Sequence, residues 1–275
     1  MPEIQNVSGT AFIVAEWRAA ENQKLHPLYQ DPVVPIFLGP ETKAAAERFA
    51  TAFPPSEKTI RLRTRYFDDR LDEQLEQGCS QVVILGAGLD TRAIRKQKPG
   101  TIYFEIDDGA ILNFKRAKLE ENRILTDVRF IPANYVTDGL IPLLKQNGFD
   151  TSRRSHFIWE GNTMYLTEEA IRQTLLDIAD NVEKFSLSFD YLTKEVIAKT
   201  AGDPAIIRIV ESFAAMGAPW TYGFSSLRSF ADEAALRIIS NIKIGELHRA
   251  FWPGEPLDSA IYDHYRLCTL ESAAN

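Results

Sequence analysis

The chain has 275 residues, 45% of them hydrophobic and 25% charged, which is ordinary for a globular protein with room for one sizeable core. Its formal charge of −7 argues against nucleic acid as a general partner, because phosphate binding draws on clustered Lys and Arg. No apolar run approaches the roughly 20 residues that span a bilayer, and the start Met1–Asn6 lacks a signal-peptide pattern, so a cytoplasmic location without a membrane partner is the expectation.

In chain order, residues 8–25 carry Phe12, Ile13, Ala15, Trp17 and Ala19 in a helix-tolerant setting that His26-Pro27 ends. Pro32, Pro35 and Pro40 punctuate a loop, and a second helix is predicted from Glu41 to Ala52. Pro54-Pro55-Ser56 opens a third, with Ile60, Phe67, Leu71 and Leu75 on one face and Gly78 as its stop. From Gln81 the texture changes to short β-rich apolar runs at 81–85, 101–106, 128–131, 156–159 and 185–190. Helix-like stretches at 110–121, 140–146 and 167–181 separate them, the last with Thr167 as its N-cap. Residues 193–238 read as mainly helical, and two closing strands are expected near 240–247 and 260–270.

Short apolar strands alternating with helices indicate an α/β protein whose parallel sheet is covered on both faces. The reading is a single domain with an N-terminal helical cap (1–78), a core (79–192), an inserted helical segment (193–238) and closing strands (239–275).

Ligands in such sheets bind beyond the carboxyl ends of the strands. The first strand runs into Gly86-Ala87-Gly88, where the backbone can approach a ligand closely, and the second ends at Asp107, nineteen residues after Gly88. That is the usual distance for a carboxylate that accepts hydrogen bonds from a ribose diol. A dinucleotide fingerprint would need a third glycine, but the run continues Leu89-Asp90-Thr91. S-adenosylmethionine has no pyrophosphate and tolerates Asp90 near its ammonium, so the methyl donor is favoured over NAD.

The run Gln81–Arg92 (QVVILGAGLDTR) followed by Tyr103–Asp107 (YFEID) resembles the leucine carboxyl methyltransferase family. Arg63–Asp69 (RTRYFDD), Glu160–Leu166 (EGNTMYL), Asp31-Pro32 and Thr10-Ala11 support the resemblance. It implies a Rossmann-like class I methyltransferase sheet that uses S-adenosylmethionine. Carried over by position, Arg63 would pair with the cofactor's carboxylate, while Gly86, Ala87 and Gly88 would line its methionine part. Asp107 would hold the ribose, with Glu105 as a substitute, Asn134-Tyr135 would flank the adenine, and Glu160 would sit near the ammonium. The family commonly has Asp-Leu where this chain has Asn134-Tyr135.

Transfer from a sulfonium is an in-line displacement in which positioning dominates and no metal is required. No general base stands out in the sequence, which favours O-methylation of a carboxyl or acidic hydroxyl on a small molecule. The four histidines (His26, His156, His248, His264) and the two cysteines (Cys79, Cys268) show no ligand spacing and read as structural. The acceptor site is expected among Trp17, Phe213, Met216, Trp220, Tyr222 and Phe224, a set rich in aromatic residues, with Tyr165, Trp220 and Tyr222 as candidate contacts. Two other readings stay open: a nucleotide-dependent oxidoreductase, and a non-catalytic cofactor-binding protein of the same fold.

Overall fold

The computed structural model describes residues 7–273; Met1–Asn6, on which the signal-peptide reading rests, lie outside the described residues. Helices α1 (Val7–Glu21), α2 (Pro40–Ala52) and α3 (Pro55–Glu76) come first. Helix α1 stops short of the predicted 25 because Asn22 turns to the following loop: its amide donates to Asp31 O and accepts from Asp31 N, both at 2.7 Å. Pro40 and Pro55 occupy the first positions of α2 and α3, where a missing N–H costs nothing.

The alternating region follows as β1 (Gln81–Leu85), α4 (Arg92–Arg95), β2 (Ile102–Asp107), α5 (Gly109–Glu121), β3 (Arg129–Pro132), α6 (Tyr135–Asp138), α7 (Leu140–Gln146), β4 (Ser155–Trp159), α8 (Glu168–Asn181) and β5 (Phe185–Leu192). Thr167 caps α8 by accepting from Ala170 N at 3.2 Å. The chain ends with α9 (Lys194–Ile197), α10 (Pro204–Ala215), α11 (Leu227–Glu233), β6 (Leu236–Lys243), α12 (Ile244–Phe251), α13 (Ile261–His264) and β7 (Tyr265–Ser272).

The closing strands differ from expectation. Strand β6 starts inside the segment read as helical and ends at Lys243, where Glu246 accepts from the Lys243 N–H at 3.1 Å and starts α12. Residues 261–264 turn helical before β7 begins.

The seven strands lie in the order β3-β2-β1-β4-β5-β7-β6, with β1 to β5 parallel and β7 antiparallel to both neighbours. Strands β1 and β4 are wholly buried, and their alternating side chains feed a core on each face. Phe157 and Trp159 pack with Phe104, Phe185 and Phe189 on one face, while Val82, Ile84 and Ile158 meet Leu62, Phe67 and Leu71 of α3 on the other. Each such side chain contributes roughly 1.5–3 kcal/mol on burial. No described helix is long and apolar enough to cross a membrane.

Strand order reverses between the parallel neighbours β1 and β4. The loops that leave these two strands therefore part and open a crevice at their carboxyl ends.

Candidate active site

The crevice is a cavity bounded by α1, α3, α10 and the loops after β1, β2 and β4. Gly86 and Gly88 both adopt positive φ, +62° and +45°. A Cβ on Gly86 would collide with the Asn162 amide, and one on Gly88 would lie 3.1 Å from Ala11 Cβ. The glycines are therefore required by protein neighbours at least as much as by a ligand. Asn162 donates to Gly86 O at 3.4 Å and Glu160 O at 3.0 Å, which joins the two loops at the switch point.

Asp107 closes the other side. Its Oδ2 accepts from Gly88 N and its Oδ1 from Asp108 N, each at 2.6 Å. Burial lifts this carboxyl above its usual range despite those donors. The neighbouring Asp108, not Asp107, caps α5 by accepting from Ala110 N, so Asp107 faces the cavity with lone pairs to spare.

A buried ion-pair network forms the floor. Glu160 accepts from Arg63 Nε at 2.8 Å and from Arg92 Nη1 at 2.6 Å. Burial alone would raise the Glu160 carboxyl, but Arg92 and then Arg63 hold it below the ordinary range. Arg92 also donates from Nη1 to Asp90 at 2.5 Å and from Nε to Asp68 at 2.8 Å. Asp90 is likewise kept well below the carboxylate range by Arg92 and Arg18 against the pull of burial. Arg18 pairs with Asp31 and donates to Thr91 Oγ1 at 2.7 Å and Leu89 O at 3.0 Å, so the cap helices are tied to the glycine loop through charge.

The outer half of the cavity has a different character. Phe213 stacks on Trp220 with centroids 4.6 Å apart and meets Phe49 edge to face at 5.3 Å, beside Ile60, Met164 and Ile209. Thr59 Oγ1, a buried polar atom in this apolar wall, has no hydrogen-bond partner among the described residues, and the Trp220 indole N–H has only the neighbouring Tyr165 hydroxyl near it. Such an orphan is rare in folded interiors unless a ligand or water meets it. Ser56, Thr59, Ile60 and Arg63 form one stripe of α3 that runs from this vault to the ion-pair floor.

Of the predicted site residues, Arg63, Gly86, Ala87, Gly88, Asp107, Glu160, Tyr165 and Trp220 converge on this cavity, as does Trp17. Asn134, Tyr135 and Tyr222 do not line it. Asn134 uses its side-chain carbonyl to cap α6, accepting from Val136 N at 3.0 Å. Tyr135 is buried against the sheet, where its hydroxyl accepts from Trp159 Nε1 at 2.8 Å. Tyr222 packs on Phe224 and Phe230, and Met216 and Phe224 also lie outside the lining. The substitute acid Glu105 is wholly buried and pairs with Lys115 at 2.5 Å, away from the cavity. None of the four histidines lines the cavity, and both cysteines are buried.

Sequence reasoning missed Arg18, Thr59, Asp190 and Tyr265, all in or against the site. It quoted Arg92 and Asn162 within motifs without giving either a role. Asn162, Arg92 and Asp190 carried a local signal, since each sits at or past a strand's carboxyl end.

A model of the leucine carboxyl methyltransferase family matches residues 11–179, more than half of the chain. A Mycobacterium tuberculosis H37Rv protein named as an S-adenosyl-L-methionine-dependent methyltransferase is 35% identical over 187 residues, covering 63% of this chain and 57% of that protein. A second protein of that organism with the same description is 36% identical over 179 residues, covering 61% of this chain and 58% of that protein. The chain thus spans less than two thirds of the length of these relatives. Among solved structures, a Streptomyces avermitilis protein superposes with a TM-score of 0.65 at 13% identity, covering 94% of this chain and 97% of that one. A Thermobifida fusca structure described as a methyltransferase gives 0.63 at 15% identity and 94% of each chain. At such identities the likeness speaks for the fold, whereas the family match is one of sequence and spans the residues that build the glycine loop, Asp107 and the Arg92–Glu160 floor. On that match, the chain belongs to the leucine carboxyl methyltransferase family.

Proposed function

We propose that this chain is an S-adenosylmethionine-dependent O-methyltransferase acting on a carboxyl or acidic hydroxyl of an apolar small molecule. The observation that carries the reading is the division of one cavity into an ionic floor at the strand ends and an uncharged vault beyond it.

The floor fits the donor. Asp107 retains acceptor capacity for a ribose diol after binding Gly88 and Asp108. Arg63 Nη2 has no hydrogen bond to the described residues and suits the amino-acid carboxylate. Glu160, ionised between two arginines, keeps spare lone pairs for an ammonium. When bound, S-adenosylmethionine supplies an electrophilic methyl group on a sulfonium.

The vault suits an oxygen acceptor. Its walls are largely apolar, and they place Trp220 Nε1, a donor without acceptor capacity, beside the Tyr165 hydroxyl. An amine nitrogen attacks through its only lone pair, which such a donor would occupy. An oxyanion keeps lone pairs for Trp220 and Thr59 while another attacks. Among the described lining residues no histidine, lysine or cysteine offers a base; the carboxylates Asp90 and Glu160 are committed to arginines, and Asp107 is held by the Gly88 and Asp108 N–H groups at the ribose end. An acceptor oxygen already ionised at neutral pH removes the need for one.

Calorimetry with S-adenosylhomocysteine, NAD and NADP tests the cofactor. Micromolar binding of the homocysteine product alone is expected, and binding of NAD alone would move the reading to an oxidoreductase. Turnover of labelled donor with a panel of apolar carboxylic acids, phenols and amines tests the acceptor; transfer only to amines would overturn the oxygen assignment.

A further inference from the structure

Arg63 is held by three side chains from three strands. Its Nε donates to Glu160 Oε1 at 2.8 Å, just past β4. Its Nη1 donates to Tyr265 Oη at 2.9 Å, at the start of β7, and approaches Asp190 Oδ2 of β5 at 3.4 Å. The Tyr265 hydroxyl in turn donates to Asp190, whose other oxygen accepts from Gly161 N at 2.6 Å. Gly161 itself has φ +69°, and a Cβ there would lie 3.2 Å from Arg63 Nη1, so the loop after β4 wraps directly on the guanidinium.

This arrangement has a geometric consequence. A guanidinium offers two forks, Nε with Nη2 and Nη1 with Nη2. Each fork here has one prong committed to the protein, which fixes the plane at two corners and leaves Nη2 as the nitrogen without a hydrogen bond to the described residues. Arg63 and Tyr265 both line the cavity, whereas Asp190 is fully buried behind them. The pairing of β5 with β7 does not depend on the phenol, because the backbone ladder already runs from Ser186–Glu271 to Leu192–Tyr265. The hydroxyl of Tyr265 therefore has Arg63 and Asp190 as its partners and no role in strand pairing.

We propose that Tyr265 and Asp190 are positioning residues for the amino-acid end of the cofactor: they set the plane of Arg63 so that Nη2 is presented to the carboxylate. The inference rests on the cofactor reading above. A rotating arginine would have to lose its freedom on binding; one fixed by Tyr265 and Asp190 has lost it already.

The test uses the full chain and two ligands that differ only at that end. S-adenosylhomocysteine carries the amino-acid carboxylate, and 5′-methylthioadenosine keeps the nucleoside and thioether without it. By calorimetry, Tyr265→Phe should weaken S-adenosylhomocysteine about fivefold or more, the worth of one net hydrogen bond, and leave 5′-methylthioadenosine within about twofold. Asp190→Asn, which keeps the size of the side chain, should show the same asymmetry and serves if Tyr265→Phe fails to fold. Equal weakening of both ligands, or none, would overturn the positioning role. An unaltered protein that binds neither ligand would overturn the cofactor reading and this inference with it. One that binds 5′-methylthioadenosine as tightly as S-adenosylhomocysteine would overturn the inference alone.

Discussion

Gly88 donates its backbone N–H to the Asp107 carboxylate at 2.6 Å, which fastens the loop after β1 to the end of β2. The two halves of the sequence motif thus touch each other as well as the cavity. Loss of the acid would affect the shape of the loop and the ligand it holds.

For Asp107→Ala we expect the affinity for S-adenosylhomocysteine to fall at least about tenfold, the equivalent of 1.4 kcal/mol. Glu105→Ala alters a buried pair outside the cavity, so any loss of binding there should track a loss of thermal stability. Calorimetry alongside thermal unfolding separates the two. Normal binding by Asp107→Ala would remove it from the site.

Arg63→Lys keeps the charge but cannot reproduce contacts at two nitrogens with Glu160 and Tyr265 together with a third nitrogen for ligand. A loss of about tenfold or more is expected for ligands with the amino-acid carboxylate, and little for adenosine. Unchanged affinity for both would leave Arg63 with a purely structural place in the network.

Thr59→Val removes one buried hydroxyl at nearly constant volume. The cofactor affinity should be unchanged, because Thr59 lies one helical turn from Arg63 toward the vault. With an acceptor found by the panel above, kcat/KM should drop about five- to tenfold, and Thr59→Ser should restore most of it. An equal or higher kcat/KM in the valine variant would mean that no acceptor oxygen meets this hydroxyl.

Lys115 of α5 and Glu105 of β2 form a wholly buried pair. Burial pushes the Glu105 carboxyl up to about 7 even though Lys115 opposes the shift. Removing the cation in Lys115→Met should cost about 3–5 kcal/mol at neutral pH, and a Glu105→Leu/Lys115→Met double replacement should recover much of it. A carboxyl whose folded pKa lies above its unfolded one of about 4.3 adds stability that is present at low pH and lost as pH rises through the folded value. The deficit of Lys115→Met should therefore grow from pH 5 to pH 8. Thermal unfolding across that range checks the sign.

The sequence by itself determined the parallel core. The apolar runs at 81–85, 101–106, 128–131, 156–159 and 185–190 fall within a residue or two of β1 to β5, because strands of a sheet covered on both faces are short runs dominated by apolar residues. Gly86, Gly88, Asp107 and Glu160 were legible for a related reason: residues past the carboxyl ends of such strands sit at the crevice whatever else the chain does. The last third was less legible. An edge strand such as β6 alternates exposed and half-buried residues, and its end was decided by Glu246 capping the next helix.

What only the tertiary structure decided was who meets whom. Asn134 and Tyr135 matched a position in a family motif, yet local capping took one side chain and the Trp159 indole took the other. Gly86 carries a glycine because of Asn162, 76 residues away. Thr59, Asp190 and Tyr265 come from α3, β5 and β7, and no spacing in the chain links them. Thr59 and Tyr265 line one cavity, with Asp190 buried behind it, because strand order reverses between β1 and β4 and the antiparallel β7 returns beside β5. Charge pairing and orphaned hydroxyls become visible only once long-range packing has removed water from around them.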